Sequence, residues 1–208
     1  MQDELVFYTN PMSRGRIVRW MLEELGQPYR TEVVAFGPEM KAAGYLAINP
    51  MGKVPAIRHG DTVVTEAAAI CAYLADAFPQ AGLAPPAGDR LRGAYYRWLF
   101  FGAGPLEAAS VNKALGVEVP PERKGMVGYG SMEDVVGTLD AALSSANHLV
   151  GDRFTAADLY VGAQLGWLMQ FGVMEKRPAF ERFVASLSAR PAAVRARGID
   201  DALLPPKA

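Results

Sequence analysis

Asn49-Pro50-Met51-Gly52-Lys53-Val54-Pro55-Ala56-Ile57 sets a proline at the entrance to an apolar run. A proline there withholds a ladder amide, and the bond before it is the one kind at which a cis peptide costs only about 0.5–1 kcal/mol. Val54–Pro55 is therefore a candidate cis bond. In that geometry the Val54 amide and carbonyl turn out of the sheet and offer one donor and one acceptor to an extended, peptide-like ligand. An edge strand with a trans proline is the alternative reading of the same residues.

The flanking sequence alternates two periodicities. Leu5, Val6, Phe7 and Tyr8 form a short apolar run stopped by Asn10 and Pro11, which predicts a buried strand. Ile17, Val18, Met21, Leu22 and Leu25 then share a helical face, with Ser13 as its cap and Gly26 where a left-handed C-terminal cap belongs. Residues 29–35, rich in β-branched and aromatic types, predict a second strand parallel to the first, followed by a weak helix over 39–46. Residues 54–58 and 62–65 flank His59-Gly60-Asp61 as an antiparallel hairpin. Ala67, Ile70, Cys71, Leu74 and Phe78 then recur at helical spacing after the cap candidate Thr65, until Pro79 stops them. The order βαβαββα gives an α/β domain with a mixed sheet over residues 1–78.

Residues 79–88, rich in Pro and Gly, read as a linker, and strand patterns nearly vanish over 89–208. Leu91, Ala94, Tyr95, Trp98 and Leu99 line a long helical face that should kink or break near Gly102, Gly104 and Pro105. A helix pair is expected over 123–146. Thr155 and Asp158 resemble a capping box with Phe154 and Leu159 as its hydrophobic staple, although aspartate in place of glutamate should weaken the reach-back. The small and apolar residues that follow mark the central helix of an all-helical domain.

The 208 residues carry 21 basic and 22 acidic side chains, a net charge of −1, which excludes a field able to hold nucleic acid or an anionic membrane. A single cysteine, Cys71, rules out an intramolecular disulfide, and two distant histidines with one thiol give no Cys/His metal cluster. Cys71 lies on an apolar helical face and reads as core. The acidic N-terminus and the lack of a run of roughly 20 apolar residues lead to the expectation of a cytoplasmic, metal-free protein that does not enter membranes.

Two further stretches carry chemistry. Glu66 falls in the first turn of a helix beside free amides that suit an anion, so one end could hold an ammonium and a carboxylate together; simple complementing of the helix dipole is the alternative. Ser13-Arg14-Gly15-Arg16 places bases where the dipole favours acids, which suggests a bound anion, and a serine with helix amides can stabilise a thiolate. Ser13 as a plain cap with solvated arginines remains the other reading.

Taken together, LVFYTNPMSRGRIVRW, NPMGKVPAI, TEAAAI, the linker and FTAADLY resemble the cytosolic glutathione transferase family along nearly the whole chain. The resemblance implies a thioredoxin-like N-terminal domain, an all-helical C-terminal domain, a homodimer, and glutathione as co-substrate without a metal. Val54 resembles the position whose backbone pairs with the cysteinyl part of glutathione, with Pro55 cis. Lys53 resembles the side chain near the glycyl carboxylate, with Lys41 as a helper, and Glu66 the acid at the γ-glutamyl end. Ala67 departs from the pattern, because the family often has serine there, and only its amide could bind the carboxylate. Ser13 matches the serine-dependent, theta-like branch, whereas Tyr8 falls where other branches keep a catalytic tyrosine.

The implied reaction is attack of the glutathione thiolate on a small hydrophobic electrophile in a pocket between the domains. Pro11, Met12, Tyr95, Trp98, Phe101 and Leu106 are its expected lining. A glutathione-dependent isomerase and a non-catalytic ligand-binding protein of the same fold are the alternatives.

Overall fold

The computed structural model of the protein describes residues 3–204. Strands β1 (Leu5–Thr9), β2 (Arg30–Val33), β3 (Ala56–His59) and β4 (Thr62–Thr65) form one sheet in the order β2-β1-β3-β4. β1 and β2 are parallel, while β1 with β3 and β3 with β4 are antiparallel, so the mixed sheet read from the sequence is present. Helix α1 (Gly15–Leu25) closes on Gly26, whose φ of 64° and amide bond to Leu22 make the left-handed cap. The expected helix over 39–46 is instead a 3-10 turn at Glu39–Lys41 and a single turn, α2 (Ala43–Leu46). Helix α3 (Ala67–Ala77) is capped by Glu66 rather than Thr65.

Side chains alternate across β1. Phe7 faces α1, where the Arg19 guanidinium lies 4.9 Å from its ring centroid. Tyr8 faces the other way, into a cluster of Val34, Met40, Tyr45, Ile48 and Val54. α1 runs very close to the end of β1: a Cβ on Gly15 would stand 2.0 Å from Thr9 Oγ1, so only glycine fits that helix start.

The last helix, α9 (Pro191–Ala202), packs against α1, and the first compact unit therefore takes in the chain up to Ala81 together with the chain from Ala189 on. The sequence pattern groups this helix with the all-helical segment 89–208. The reason for the difference is polar rather than apolar. Arg19 and Asp200, each 1% exposed, are bonded Nε to Oδ1 at 3.1 Å, and Arg190 and Arg195 of the same segment bond Glu24 and Glu23 of α1. Arg19 also donates to Tyr29 Oη at 3.2 Å and Thr31 Oγ1 at 2.7 Å. Burial raises the Asp200 carboxyl above the usual range against the pull of Arg19, and pushes Tyr29 up to about 12.

The second unit, Gly82–Ser188, is helical. Helix α4 (Leu91–Phe101) does not break at Gly102-Ala103-Gly104-Pro105 but runs through a π turn, Gly102–Leu106, into α5 (Glu107–Ala114). The wider turn accommodates a proline that lacks an amide. The expected helix pair over 123–146 is one 3-10 turn, Pro121–Met126, and one helix, α6 (Met132–Ser145).

Helix α7 (Ala156–Gln170) is buried on most sides, as read, and packs against α4 and α8 (Pro178–Ser188). Gly162 lets Leu187 approach so closely that a Cβ would stand 2.3 Å from its Cδ1. The reach-back at its start is made in full. Asp158 Oδ2 accepts from the Thr155 amide at 2.8 Å and the Thr155 hydroxyl at 2.9 Å, while Oδ1 accepts from the Leu149 amide at 2.7 Å. The short aspartate suffices because the chain from 149 to 155 wraps around its carboxylate. Among the described residues no helix is long and apolar enough to cross a membrane.

Removing one partner of a buried ion pair leaves the other charge uncompensated. Asp200→Ala should therefore lower stability by about 3 kcal/mol in denaturant titration, whereas Arg19→Met with Asp200→Leu should recover much of the loss.

Candidate functional site

Two loops of the first unit carry the predicted chemistry, and each is built around a buried asparagine. Asn10, 6% exposed, follows β1. Its amide donates to the Val34 carbonyl at 3.0 Å, its Oδ1 accepts from the Met12 amide at 3.0 Å, and its carbonyl accepts from both the amide and the hydroxyl of Ser13. Ser13 Oγ donates to that carbonyl at 2.7 Å and accepts from the Gly15 amide at 2.9 Å. The serine thus lies half-buried at the N-terminus of α1, its proton resting on a neutral carbonyl.

The basic residues of this helix start are not simply solvated. Arg16 Nε donates to the Pro11 carbonyl at 2.5 Å, and its Nη1 pairs with Asp201 of α9 at 2.8 Å. Arg16 is therefore engaged by protein partners rather than simply solvated.

Asn49, 3% exposed, organises the second loop. Its Oδ1 accepts from the Met51 amide at 3.0 Å, its carbonyl from the Gly52 amide at 2.8 Å, and its Nδ2 donates to the Lys53 carbonyl at 2.8 Å. Tyr45 Oη donates to the same carbonyl at 2.7 Å; burial pushes that phenol up to about 12, so it remains a donor at neutral pH. Gly52 has φ 55°, and a Cβ there would meet the Met40 carbonyl at 2.5 Å. The sequence marks Asn10 only as a strand stop and gives Asn49 no side-chain role, although an Asn-Pro pair opens both loops and marks the turns they hold.

The Val54–Pro55 bond is cis, and β3 begins only at Ala56. No backbone partner of the Val54 amide or carbonyl is found among the described residues. Lys53 is exposed, and Lys41 reaches the same loop, donating from Nζ to the Met51 carbonyl at 2.8 Å. Glu66 is exposed and has φ 65°, the one positive value among described residues other than glycine. Such backbone strain persists where surrounding structure imposes it, often beside a ligand. Directly after it, the amides of Ala67, Ala68 and Ala69 open α3 without intrahelical acceptors.

Tyr8, the alternative to Ser13, is occupied. Its ring packs on Tyr45 with centroids 5.9 Å apart, and its hydroxyl is close enough to hydrogen-bond Arg58, the main cause of the raised Arg58 pKa. Cys71 is fully buried, and burial alone pushes its thiol up to about 12, so it is no nucleophile.

The expected electrophile lining is only partly exposed. Met12 is 60% exposed and Phe101 half-buried, but Pro11, Tyr95, Trp98 and Leu106 are buried. Tyr95 and Trp98 lie on α4 and Leu106 on the π turn that follows it, and both elements pack on α7. A cleft of about 320 Å³ bordered by Gln27, Pro28 and Phe78 contains none of the site residues.

Family models describe both halves of the chain. Residues 12–77 match the glutathione S-transferase N-terminal domain and residues 130–191 the C-terminal domain. Glutathione S-transferase GstA of Escherichia coli O157:H7 is 34% identical over 124 residues, 59% of this chain and 61% of that one. Glutathione S-transferase GstB of Escherichia coli K12 is 30% identical over 182 residues, 82% of this chain and 86% of its own length. A glutathione transferase of Phanerochaete chrysosporium, solved in complex with oxidised glutathione, superposes with a TM-score of 0.79 at 26% identity, over 97% of this chain and 98% of that one. With both halves matched in order and the cis Val54–Pro55 loop and the opening of α3 in place, the chain belongs to the glutathione S-transferase family.

Proposed function

We propose that this protein is a glutathione transferase of the serine-dependent, theta-like type, in which Ser13 stabilises the thiolate of glutathione for attack on a hydrophobic electrophile. The observation that carries the reading is the Ser13 hydroxyl, held at a helix N-terminus with its proton on the neutral Asn10 carbonyl. A thiolate is a stronger acceptor than a carbonyl, so the hydroxyl turns to it once glutathione is bound. A free thiol with pKa near 8.5 is only about 3% ionised at pH 7. Lowering that pKa by two requires about 2.7 kcal/mol, and one hydrogen bond to a charged group contributes roughly 1.5–3 kcal/mol, with the helix terminus adding to it.

In this reading the Val54 amide and carbonyl pair with the cysteinyl residue, and Pro55, being cis, holds them out of the sheet. Lys53, assisted by Lys41, faces the glycyl carboxylate. Glu66 takes the γ-glutamyl ammonium, and the Ala67 amide takes the neighbouring carboxylate without help from a hydroxyl. Met12 supplies apolar surface to the electrophile. The thiolate sulfur bonds to the electrophilic carbon, and the leaving group departs with the bonding pair. The same reading includes a homodimer.

Ser13→Ala should reduce turnover with a general electrophile about tenfold or more and raise the bound-thiol pKa toward 8.5, with glutathione affinity kept. Tyr8→Phe should leave turnover within about threefold. A reversed pattern would transfer the role to Tyr8, and glutathione binding without any pKa shift in the unaltered protein would make it a carrier. Asn49→Ala, which leaves the Lys53 carbonyl and the Met51 amide short of partners, should raise the KM for glutathione about tenfold with a smaller effect on kcat. Light scattering should give the mass of two chains; the mass of one would remove the dimer.

A further inference from the structure

We propose that Arg16 is a positioning residue for the Ser13 hydroxyl and that Asp201, on the C-terminal helix, holds Arg16 in that role. The inference rests on the assignment of Ser13 to the thiolate. Arg16 grips the Pro11–Ser13 loop at both ends: its side-chain Nε donates to the Pro11 carbonyl at 2.5 Å, and its amide donates to the Ser13 carbonyl at 3.3 Å. The rest of the loop is tied down by Asn10, which accepts from the Met12 amide and from Ser13. With Pro11 fixed on one side and Gly15 donating to Ser13 Oγ on the other, the hydroxyl proton is the donor left to exchange onto a ligand.

A base in the first turn of a helix works against the helix dipole. Asp201 removes that conflict, since its Oδ1 lies 2.8 Å from Arg16 Nη1. The pair also sets the rotamer, because a guanidinium presents Nε and Nη1 in fixed directions, one toward Pro11 and one toward Asp201. A lysine has one nitrogen and cannot reproduce both bonds. Both partners are substantially solvent-exposed, so the pair contributes little to global stability and its effect is local. The C-terminal helix, far away in sequence, thereby acts on the catalytic loop.

The test is a double-mutant cycle read by the far-ultraviolet absorbance of the thiolate of bound glutathione as pH is varied. Arg16→Gln and Arg16→Lys should each raise the bound-thiol pKa by about one, lowering kcat near neutral pH about threefold with little change in the KM for glutathione. Asp201→Asn should move it in the same direction by less. In the Ser13→Ala background Arg16→Gln should add nothing, because Arg16 acts through the hydroxyl. A wild-type thiol pKa in Arg16→Lys would overturn the proposal, as charge would then suffice. So would an equal shift in the Ser13→Ala background, which would mean direct action on the thiolate. A lowered melting temperature with an unchanged thiol pKa would reduce Arg16 to a scaffold residue. If Ser13→Ala alone leaves the thiol pKa unchanged, the serine assignment falls first and this inference with it; if only the Arg16 variants are silent, the serine assignment stands.

Discussion

A guanidinium buried beneath the sheet organises the first unit. Arg19 projects from α1 into a site walled by the Phe7 and Tyr29 rings, and its nitrogens reach Thr31 on β2 and Asp200 on α9. A charge so buried is stable only with partners, and these partners come from β1, β2 and a helix near the other end of the chain. The requirement binds the sheet, the first helix and the last helix into one body. It also brings Asp201, the next residue, within reach of Arg16 and so of the loop that holds Ser13.

The site follows from the same economy of buried polar groups. Asn10 and Asn49 each use a side-chain amide to satisfy backbone groups that a tight loop would otherwise leave unpaired. The groups left without a protein partner among the described residues are the Val54 amide and carbonyl and the first amides of α3, whereas the Ser13 hydroxyl rests on the Asn10 carbonyl. Asp158 does comparable work in the helical unit, where one buried carboxylate gathers the Leu149 and Thr155 amides and fixes the start of α7. Burial raises the Asp158 carboxyl while the amides and Thr155 pull it down, so those bonds are what keep an ionised group tolerable there.

Much of this was legible along the chain. Apolar runs of strand length, the left-handed cap at Gly26, the hairpin around Gly60, the Val54–Pro55 pair and the Thr155–Asp158 motif all depend on neighbours within a few residues, and local periodicity and turn chemistry report them. The segment around 123–131 resembles a helix by composition but carries too many glycines and has too little apolar face to fold as one. Tyr95, Trp98 and Leu106 read equally well as core or as pocket, because helical spacing identifies a buried face without saying what covers it.

The sequence by itself determined the element order, the mixed sheet, the helical second half and the cis Val54–Pro55 bond, since each is written in contiguous residues. The tertiary structure decided where α9 goes, that Arg19 is buried and Arg16 committed, and which aromatic side chains are closed off. Those outcomes rest on contacts such as Arg19 with Asp200, 181 residues apart, between a base and an acid whose local patterns give no sign that they will be buried together.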